Sequence, residues 1–320
     1  MMRAFQLDRF GGTPAMVDIP APEPGPGQIR LRIAACGLNF ADLLMLKGQY
    51  QDTPETPFTM GMEVSGVVEA LGPGVTAPAL GTRVAVFAGH GGLAEAGVFE
   101  ASRAVPIPDA MPFDEAAGFL VAYGTSHLAL AHRAGLKQGE RLLVLGAAGG
   151  VGLTAVELGA VMGAEVIAVA RGAEKLEVAR RAGARHLIDS ETADIRAEVK
   201  AIGGADVVYD AVGGAAFDAA LRATRPEGRI LTIGFASGEV PQIPANILLV
   251  KNISVMGLYW GGYLSFAPEV LTESLSQVMD LYAAGQVHPH ISARFPLERA
   301  GEALEMLRSR KSTGKVVVTM

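Results

Sequence analysis

Two rhythms of apolar and polar positions run along the chain. In residues 1–120 short segments alternate with turns. Gln28–Ala34 reads Gln, Ile, Arg, Leu, Arg, Ile, Ala, the period-two pattern of a strand with one buried face. Val64–Ala70 and Arg83–Ala88 predict further strands, punctuated by Gly72-Pro73-Gly74 and Ala79-Leu80-Gly81. Pro20, Pro22, Pro24 and Pro26 predict an extended loop, and the region as a whole a small irregular β domain. Further on, short apolar runs alternate with amphipathic stretches. Strand Arg141–Gly146 leads to a helix over 150–163, and strand Glu165–Ala170 to helix Ala173–Ala182. Strand Arg185–Ile188 leads to helix Thr192–Ile202, and strand Asp206–Asp210 to a helix over 215–223 and strand Arg229–Ile233. This alternation predicts a parallel, doubly wound sheet. Strand Ile253–Leu258 follows. In Pro268–Ala284, Leu271, Leu275, Val278 and Tyr282 share one helical face, with Gly285 as the residue that ends the helix. Ala300, Ala303, Leu304 and Leu307 mark another helix, and Lys315–Thr319 a closing strand. The α/β unit thus lies mid-chain, and the two ends are expected to fold together.

Composition narrows the class. A chain of 320 residues suits two domains, and 50% apolar against 19% charged residues excludes a disordered chain. The net charge of −6 argues against nucleic acid and anionic membranes as partners. The longest stretches without Asp, Glu, Lys or Arg, 116–132 and 252–268, fall short of the ~20 apolar residues of a membrane helix. The N-terminus has no apolar run of signal-peptide type. Cys36 is the single cysteine, so neither an internal disulfide nor a four-thiolate zinc site can form. A soluble cytoplasmic protein is expected. Glycine, 40 of 320 residues, is in excess and points to tight turns and close backbone approaches.

The chemistry begins at Gly146-Ala147-Ala148-Gly149-Gly150-Val151-Gly152. Ala147, Gly149 and Gly152 stand at the three positions of G-x-G-x-x-G, between a strand and a helix. The first residue makes the turn, the second lets backbone approach a pyrophosphate, and the third packs helix on strand. The helix start offers free N–H groups to phosphate. A plain tight turn is the other reading, but the strand–turn–helix context favours a dinucleotide held by Ala148, Gly149, Gly150, Val151 and Gly152. An acid at the end of the second strand would take the ribose 2′-OH of NAD. The strand here ends Val169-Ala170-Arg171-Gly172, with Lys175 following. Two cations and no carboxylate favour NADPH; ordinary surface cations are the other reading, and Glu174 beside Lys175 suits it.

These residues resemble the medium-chain dehydrogenase/reductase superfamily, in its zinc-free NADPH:quinone oxidoreductase (ζ-crystallin-like) branch. The resemblance spans the chain. It rests on Cys36-Gly37-Leu38-Asn39-Phe40-Ala41-Asp42, Gly61-Met62-Glu63-Val64-Ser65-Gly66-Val67-Val68, Tyr123-Gly124-Thr125, the glycine turn, and Thr313-Gly314-Lys315-Val316-Val317. It implies a GroES-like β-barrel catalytic domain (1–121 and 262–320), a Rossmann NADPH-binding domain (122–261), an active site in the cleft between them, and a homodimer. Zinc alcohol dehydrogenases place a cysteine ligand at the position of Asn39, a histidine ligand at that of Met62, and a third ligand near Ala117. An amide and a thioether do not replace thiolate and imidazole. Without zinc nothing polarises an alcohol oxygen, so the resemblance implies transfer of reducing equivalents from NADPH to an acceptor already electrophilic. A quinone meets that need. An α,β-unsaturated aldehyde or ketone is the alternative, and a low-turnover NADPH-binding sensor or interaction protein is an alternative of another class.

The resemblance also assigns residues. Asn39 lies near nicotinamide and substrate, where its amide can donate to a developing oxyanion; a helix-capping role is the other reading. Tyr50 matches a family tyrosine that positions the acceptor or donates a proton; a surface-loop aromatic is the other reading. A second family tyrosine is Leu44 here, which makes the pocket more apolar. Thr125 matches a threonine near the nicotinamide, with a hydroxyl bonded to its own helix as the alternative. Ser190 replaces a tyrosine that contacts the adenosine 2′-phosphate, Arg310 matches an arginine that reaches it, and Arg308 and Lys311 lie beside it. Gly234 and Phe235 follow the fifth strand, on the nicotinamide side of the crevice. The aromatic cluster Tyr259-Trp260-Gly261-Gly262-Tyr263 offers either a stacking surface for an acceptor or an interface. His90 has no second ligand near it in sequence, and Cys36 reads as a buried small residue.

Overall fold

Alternation of buried and exposed side chains builds the first unit of the computed structural model, which describes residues 1–320. Its strands are β1 (Met2–Leu7), β2 (Ala15–Ile19), β3 (Gln28–Leu38), β4 (Phe58–Thr59), β5 (Glu63–Leu71), β6 (Arg83–Phe87), β7 (Ala96–Glu100) and β8 (Ala104–Pro106). β3 runs four residues beyond the predicted Ala34. Ala35, Cys36, Gly37 and Leu38 are all buried, so the period-two signal fades where the strand still has partners. Close approach requires Gly37, because a Cβ there would stand 2.1 Å from the Ala117 carbonyl oxygen. Three short helices, Phe40–Met45, Phe113–Ala117 and Leu120–His127, interrupt a region whose sequence predicted only strands and turns. The last continues into a π-helical turn, Leu128–Arg133.

In the second unit the apolar runs become six parallel strands: β9 (Arg141–Leu145), β10 (Glu165–Ala170), β11 (His186–Asp189), β12 (Ala205–Asp210), β13 (Thr224–Thr232) and β14 (Ser254–Gly257). Their order is β11-β10-β9-β12-β13-β14, the doubly wound arrangement whose strand order reverses between β9 and β12. Strands covered on both faces read as continuous apolar runs rather than alternating ones. Leu143, Ile167, Val208, Phe217 and Ile230 are fully buried in this core, each contributing ~1.5–3 kcal/mol by leaving water. The helix predicted over Thr192–Ile202 begins only at Ile195, because the Asp194 carboxylate caps it by accepting from the Ala197 N–H at 3.1 Å.

Two more strands, β15 (Ile291–Pro296) and β16 (Lys315–Thr319), return to the first unit, and β16 pairs antiparallel with β3. The first unit comprises residues 1–121 and 289–320, the second 122–288. Residues 262–288, expected with the catalytic domain, therefore lie in the second unit. The physical reason is a tertiary contact: Ser274, on helix Pro268–Ala283, hydrogen bonds the buried His127 ring at 2.8 Å. Trp260 packs against Gly124, where a Cβ would come within 2.8 Å of its Nε1. No helix is long and apolar enough to cross a membrane.

Candidate active site

The parallel sheet lines up one row of residues at its carboxyl edge. Asp189 faces Ala170 across β11 and β10, Val169 faces Leu145, and Leu145 faces Asp210, which faces Thr232. The loops leaving these strand ends carry Gly146–Gly152, Arg171, Ser190, and Gly234 with Phe235. Sequence reasoning had named all of them, and the register brings them to one crest.

The glycine turn has the form its spacing implies. Gly146 adopts φ +71°, a conformation that favours glycine. A Cβ on Gly152 would stand 2.1 Å from the Gly146 carbonyl oxygen, so only glycine lets the helix close on the turn. A Cβ on Gly149 would meet nothing nearer than that same oxygen, at 3.4 Å. Gly149 opens helix Gly150–Val161, and no side chain caps it. Its first N–H groups are thus left to a ligand, with the positive end of the helix dipole behind them. Buried hydroxyls hold this helix in place. Ser126 Oγ donates to the Val151 carbonyl at 2.8 Å and lies 2.8 Å from Thr154 Oγ1 and 3.1 Å from Tyr209 Oη. These features fit a dinucleotide pyrophosphate.

At the neighbouring strand ends, Arg171 is exposed and precedes helix Gly172–Arg181, with the half-buried Lys175 one turn in. Beside them stands a carboxylate whose role the sequence reading did not assign. Asp189 Oδ1 accepts from the Gly172 N–H at 3.1 Å and the Glu191 N–H at 3.0 Å, and these amides hold its carboxyl below the usual range. Ser190 is exposed next to it. Thr125 is buried on helix Leu120–His127. Asp210 is likewise buried at the crest. Its Oδ1 accepts from the Val212 and Gly213 N–H groups at 2.8 and 2.9 Å, Oδ2 has no partner, and burial pushes its carboxyl up.

A second constellation lies in the first unit, at the end of β3. Asn39 is half-buried, and its backbone N–H donates to Asp42 Oδ2 at 2.7 Å. Its side-chain Nδ2 donates to Glu63 Oε1 at 2.9 Å, while its Oδ1 accepts from Lys315 Nζ at 2.7 Å. Lys315 Nζ also donates to Glu63 Oε1, and Glu63 Oε2 accepts from the Val121 N–H at 3.1 Å. Glu63 and Lys315 are both buried. The Asn39 side chain is therefore drawn into this cluster. Glu63 and Lys315 stand within the sequence motifs, but nothing in those motifs assigns them a role. The available signal was a charge heading an apolar strand; their 252-residue separation concealed the pairing.

Asp42 is fully buried, and burial pushes its carboxyl up to about 7, against the Asn39 N–H and the Lys315 charge. A folded value above the ordinary 3.8 means that the native state holds the proton more tightly than the unfolded chain. Its contribution to stability is full below about pH 4 and is lost as pH rises through about 7. The Tm of the wild type minus that of Asp42→Asn is therefore expected to fall between about pH 5 and pH 8, as scanning calorimetry would read. A flat difference would refute the burial account.

The remaining sequence candidates separate. Tyr50 is half-buried on the loop after helix Phe40–Met45, its backbone carbonyl accepting from Thr53 Oγ1 at 2.7 Å. Arg310 is exposed in the first unit at φ +55°, whereas its neighbour Arg308 pairs with Glu305 on its own helix. Trp260 and Tyr263 are buried, Tyr263 edge-on to His132 at 5.9 Å, whereas Tyr259 is partly exposed. Cys36 is buried against Gly61 and Gly92, and burial pushes its thiol well up, leaving it unreactive.

Comparison with known proteins agrees with this geometry. Residues 25–109 match the alcohol dehydrogenase GroES-like domain, and residues 150–283 the zinc-binding dehydrogenase domain. A quinone oxidoreductase-like protein 2 homolog of Nematostella vectensis is 43% identical over 92% of this chain and 82% of its own. A mycobacterial protein solved in complex with NADPH superposes over the full length of both chains with TM-score 0.93 and 31% identity. The quinone oxidoreductase of Thermus thermophilus, solved alone and with NADPH, covers both chains with TM-score 0.90 and 34% identity. The chain is an oxidoreductase and belongs to the quinone oxidoreductase family of the medium-chain dehydrogenase/reductases, with a GroES-like domain and a Rossmann-type domain.

Proposed function

We propose that this oxidoreductase transfers reducing equivalents from NADPH to a quinone, without zinc. The observation that carries the reading is the Asn39–Glu63–Lys315 cluster. It stands where a zinc dehydrogenase would need a ligand, and it already contains a cation. The Lys315 ammonium, bonded to both Asn39 and Glu63, opposes a divalent ion at the same oxygens.

Bound NADPH supplies the hydride. The chain binds it, orients it and sets the acceptor. The N–H groups at the start of helix Gly150–Val161 take the pyrophosphate. Arg171 and Lys175 take the 2′-phosphate, with Ser190 and Arg310 as its further ligands. Thr125, Gly234 and Phe235 hold the nicotinamide side. Asn39 donates an N–H to the acceptor oxygen as charge develops there. Tyr50 positions the acceptor or returns a proton to it. The relatives solved with NADPH support this choice of cofactor.

A second reading is reduction of an α,β-unsaturated aldehyde or ketone, favoured by the half-buried Leu44 in place of a second tyrosine. A low-turnover NADPH-binding protein is the reading of another class. One experiment separates them: oxidation of NADPH and NADH by chelator-treated protein, with an ortho-quinone and an alkenal side by side. Chelator-resistant, NADPH-selective turnover of the quinone is expected. Turnover of the alkenal alone would move the reaction to double-bond reduction. Tight NADPH binding with neither acceptor reduced would favour the third reading, and loss of activity on chelation would refute zinc independence.

We also propose a homodimer. β14 ends the parallel sheet with one edge unpaired, and Leu249 (78% exposed), Val250 (76%) and Phe266 (67%) place apolar surface in the segments flanking it. An open edge and an apolar patch together favour a second copy. Sedimentation is expected to return twice the 33.2 kDa chain mass, and Leu249→Glu with Val250→Glu to shift it towards monomer. A wild-type monomer would end this reading. The single buried thiol suits a reducing compartment, and we place the protein in the cytoplasm.

A further inference from the structure

The cluster around Asn39 closes on itself. Three groups bond pairwise: Asn39 Nδ2 to Glu63 Oε1 at 2.9 Å, Lys315 Nζ to Asn39 Oδ1 at 2.7 Å, and Lys315 Nζ to Glu63 Oε1. An amide alone can sit either way round, because its oxygen and nitrogen ends are nearly the same size. Here the partners are opposite charges. Turning the Asn39 amide over would set its carbonyl oxygen against the Glu63 carboxylate and its NH2 group against the Lys315 ammonium. Both contacts become repulsive in a buried site, where electrostatic interactions are weakly screened.

The orientation has a chemical consequence. Nδ2 carries two hydrogens, and one goes to Glu63. The other faces only the Gly37 carbonyl at 3.5 Å, the outer limit of a hydrogen bond. That long bond leaves the second N–H able to turn to a nearer acceptor, on a residue that is only half-buried. The ammonium on Oδ1 polarises the amide and makes that N–H a better donor.

We propose that Lys315, through its ion pair with Glu63, is a positioning residue that locks the Asn39 amide in one orientation and presents a single N–H to the acceptor oxygen. This rests on the quinone reductase reading. Lys315 itself touches no substrate in this account; it acts through Asn39. The surrounding backbone holds its stem in place. The Lys315 N–H donates to the His290 carbonyl at 2.9 Å, and a Cβ on Gly118 would come within 3.2 Å of Lys315 Cγ.

The test is a mutant cycle read on both kcat and binding. Lys315→Met alone strands a buried carboxylate and destabilises the fold, so the working variant is E63Q/K315M, which removes both charges together. A glutamine at 63 can accept from the amide or donate to it, so both orientations of Asn39 become available. With 1,2-naphthoquinone as acceptor, E63Q/K315M is expected to keep its Tm within a few degrees of wild type and its NADPH Kd within twofold. Its kcat is expected to fall about 10- to 100-fold, short of the 10²–10³ typical of deleting a positioned donor outright. Asn39→Ala is expected to be costly in the wild type and to lower kcat only about tenfold further in E63Q/K315M, well short of its wild-type effect, because the two act through one amide. A merely structural pair would give additive losses. A kcat within twofold of wild type, a full Asn39→Ala effect in the double variant, or a parallel loss of NADPH affinity would overturn the inference alone. A wild type that binds NADPH but reduces no quinone would overturn the function, and this inference with it.

Discussion

Gly152→Val is expected to abolish NADPH binding. A Cβ at this position would meet the Gly146 oxygen at 2.1 Å, the Gly146 carbonyl carbon at 2.8 Å and Ala147 Cα at 3.2 Å, all backbone atoms that no rotamer change can move aside. The helix must retreat from the turn, and its first N–H groups then no longer converge on a phosphate. A rise in the NADPH Kd of at least ~100-fold is expected, about 2.7 kcal/mol, with a lower Tm. Gly149→Ala makes the informative contrast. Its Cβ would meet nothing nearer than 3.4 Å, an ordinary contact, so the fold should keep its Tm. At the second glycine of the fingerprint the backbone must come close to the pyrophosphate, so an added methyl should still raise the Kd, by roughly tenfold. Fluorescence titration and thermal melting read the two effects separately. NADPH binding by Gly152→Val within a few-fold of wild type would disprove the assignment of the turn.

Lys315→Met is expected to destabilise the first unit strongly. Glu63 would keep its hydrogen bonds from Asn39 and Val121 but lose its only counter-ion, at 1% side-chain exposure. Breaking a buried pair from one side costs about 3–5 kcal/mol, because the remaining charge is neither hydrated nor compensated. At ~2–4 °C per kcal/mol the Tm should fall by on the order of 10 °C. Adding Glu63→Gln should recover most of that loss, since a neutral pair requires no counter-ion. An unchanged Tm in Lys315→Met would mean that water reaches Glu63. The exposed pairs behave differently: Arg299–Glu302 and Arg308–Glu305 lie on one helix surface, and their removal should be nearly silent.

These two predictions draw on different kinds of information. The glycine turn is local. Its three positions span six residues between a strand and a helix, and the steric reasons for Gly146 and Gly152 follow from chain geometry alone. The alternation of strands and helices from Arg141 to Gly257 is likewise a property of neighbouring residues, and it predicted the sheet and its crest. Local signals weakened where a strand is buried on both faces, as in β3 beyond Ala34, and where a helix is only one or two turns long, as in Phe40–Met45 and Phe113–Ala117. In both cases too few residues repeat for a period to stand out. The allocation of residues 262–288 depended on the contact of Ser274 with His127, which lies far away in sequence.

By itself, then, the sequence determined the α/β centre, the phosphate-binding turn, the family and the presence of Asn39 where a metal ligand would otherwise stand. The first two follow from spacing within a few residues; the family and the place of Asn39 come from the resemblance that its motifs carry. Only the tertiary structure decided what Asn39 does with its amide, that Glu63 and Lys315 form one buried pair, and that Asp42 is buried enough to hold its proton near neutral pH. Charge pairing, desolvation and amide orientation are set by distance in space. No pattern along the chain encodes the approach of residues 24 and 276 positions from Asn39 until the strands that carry them are paired.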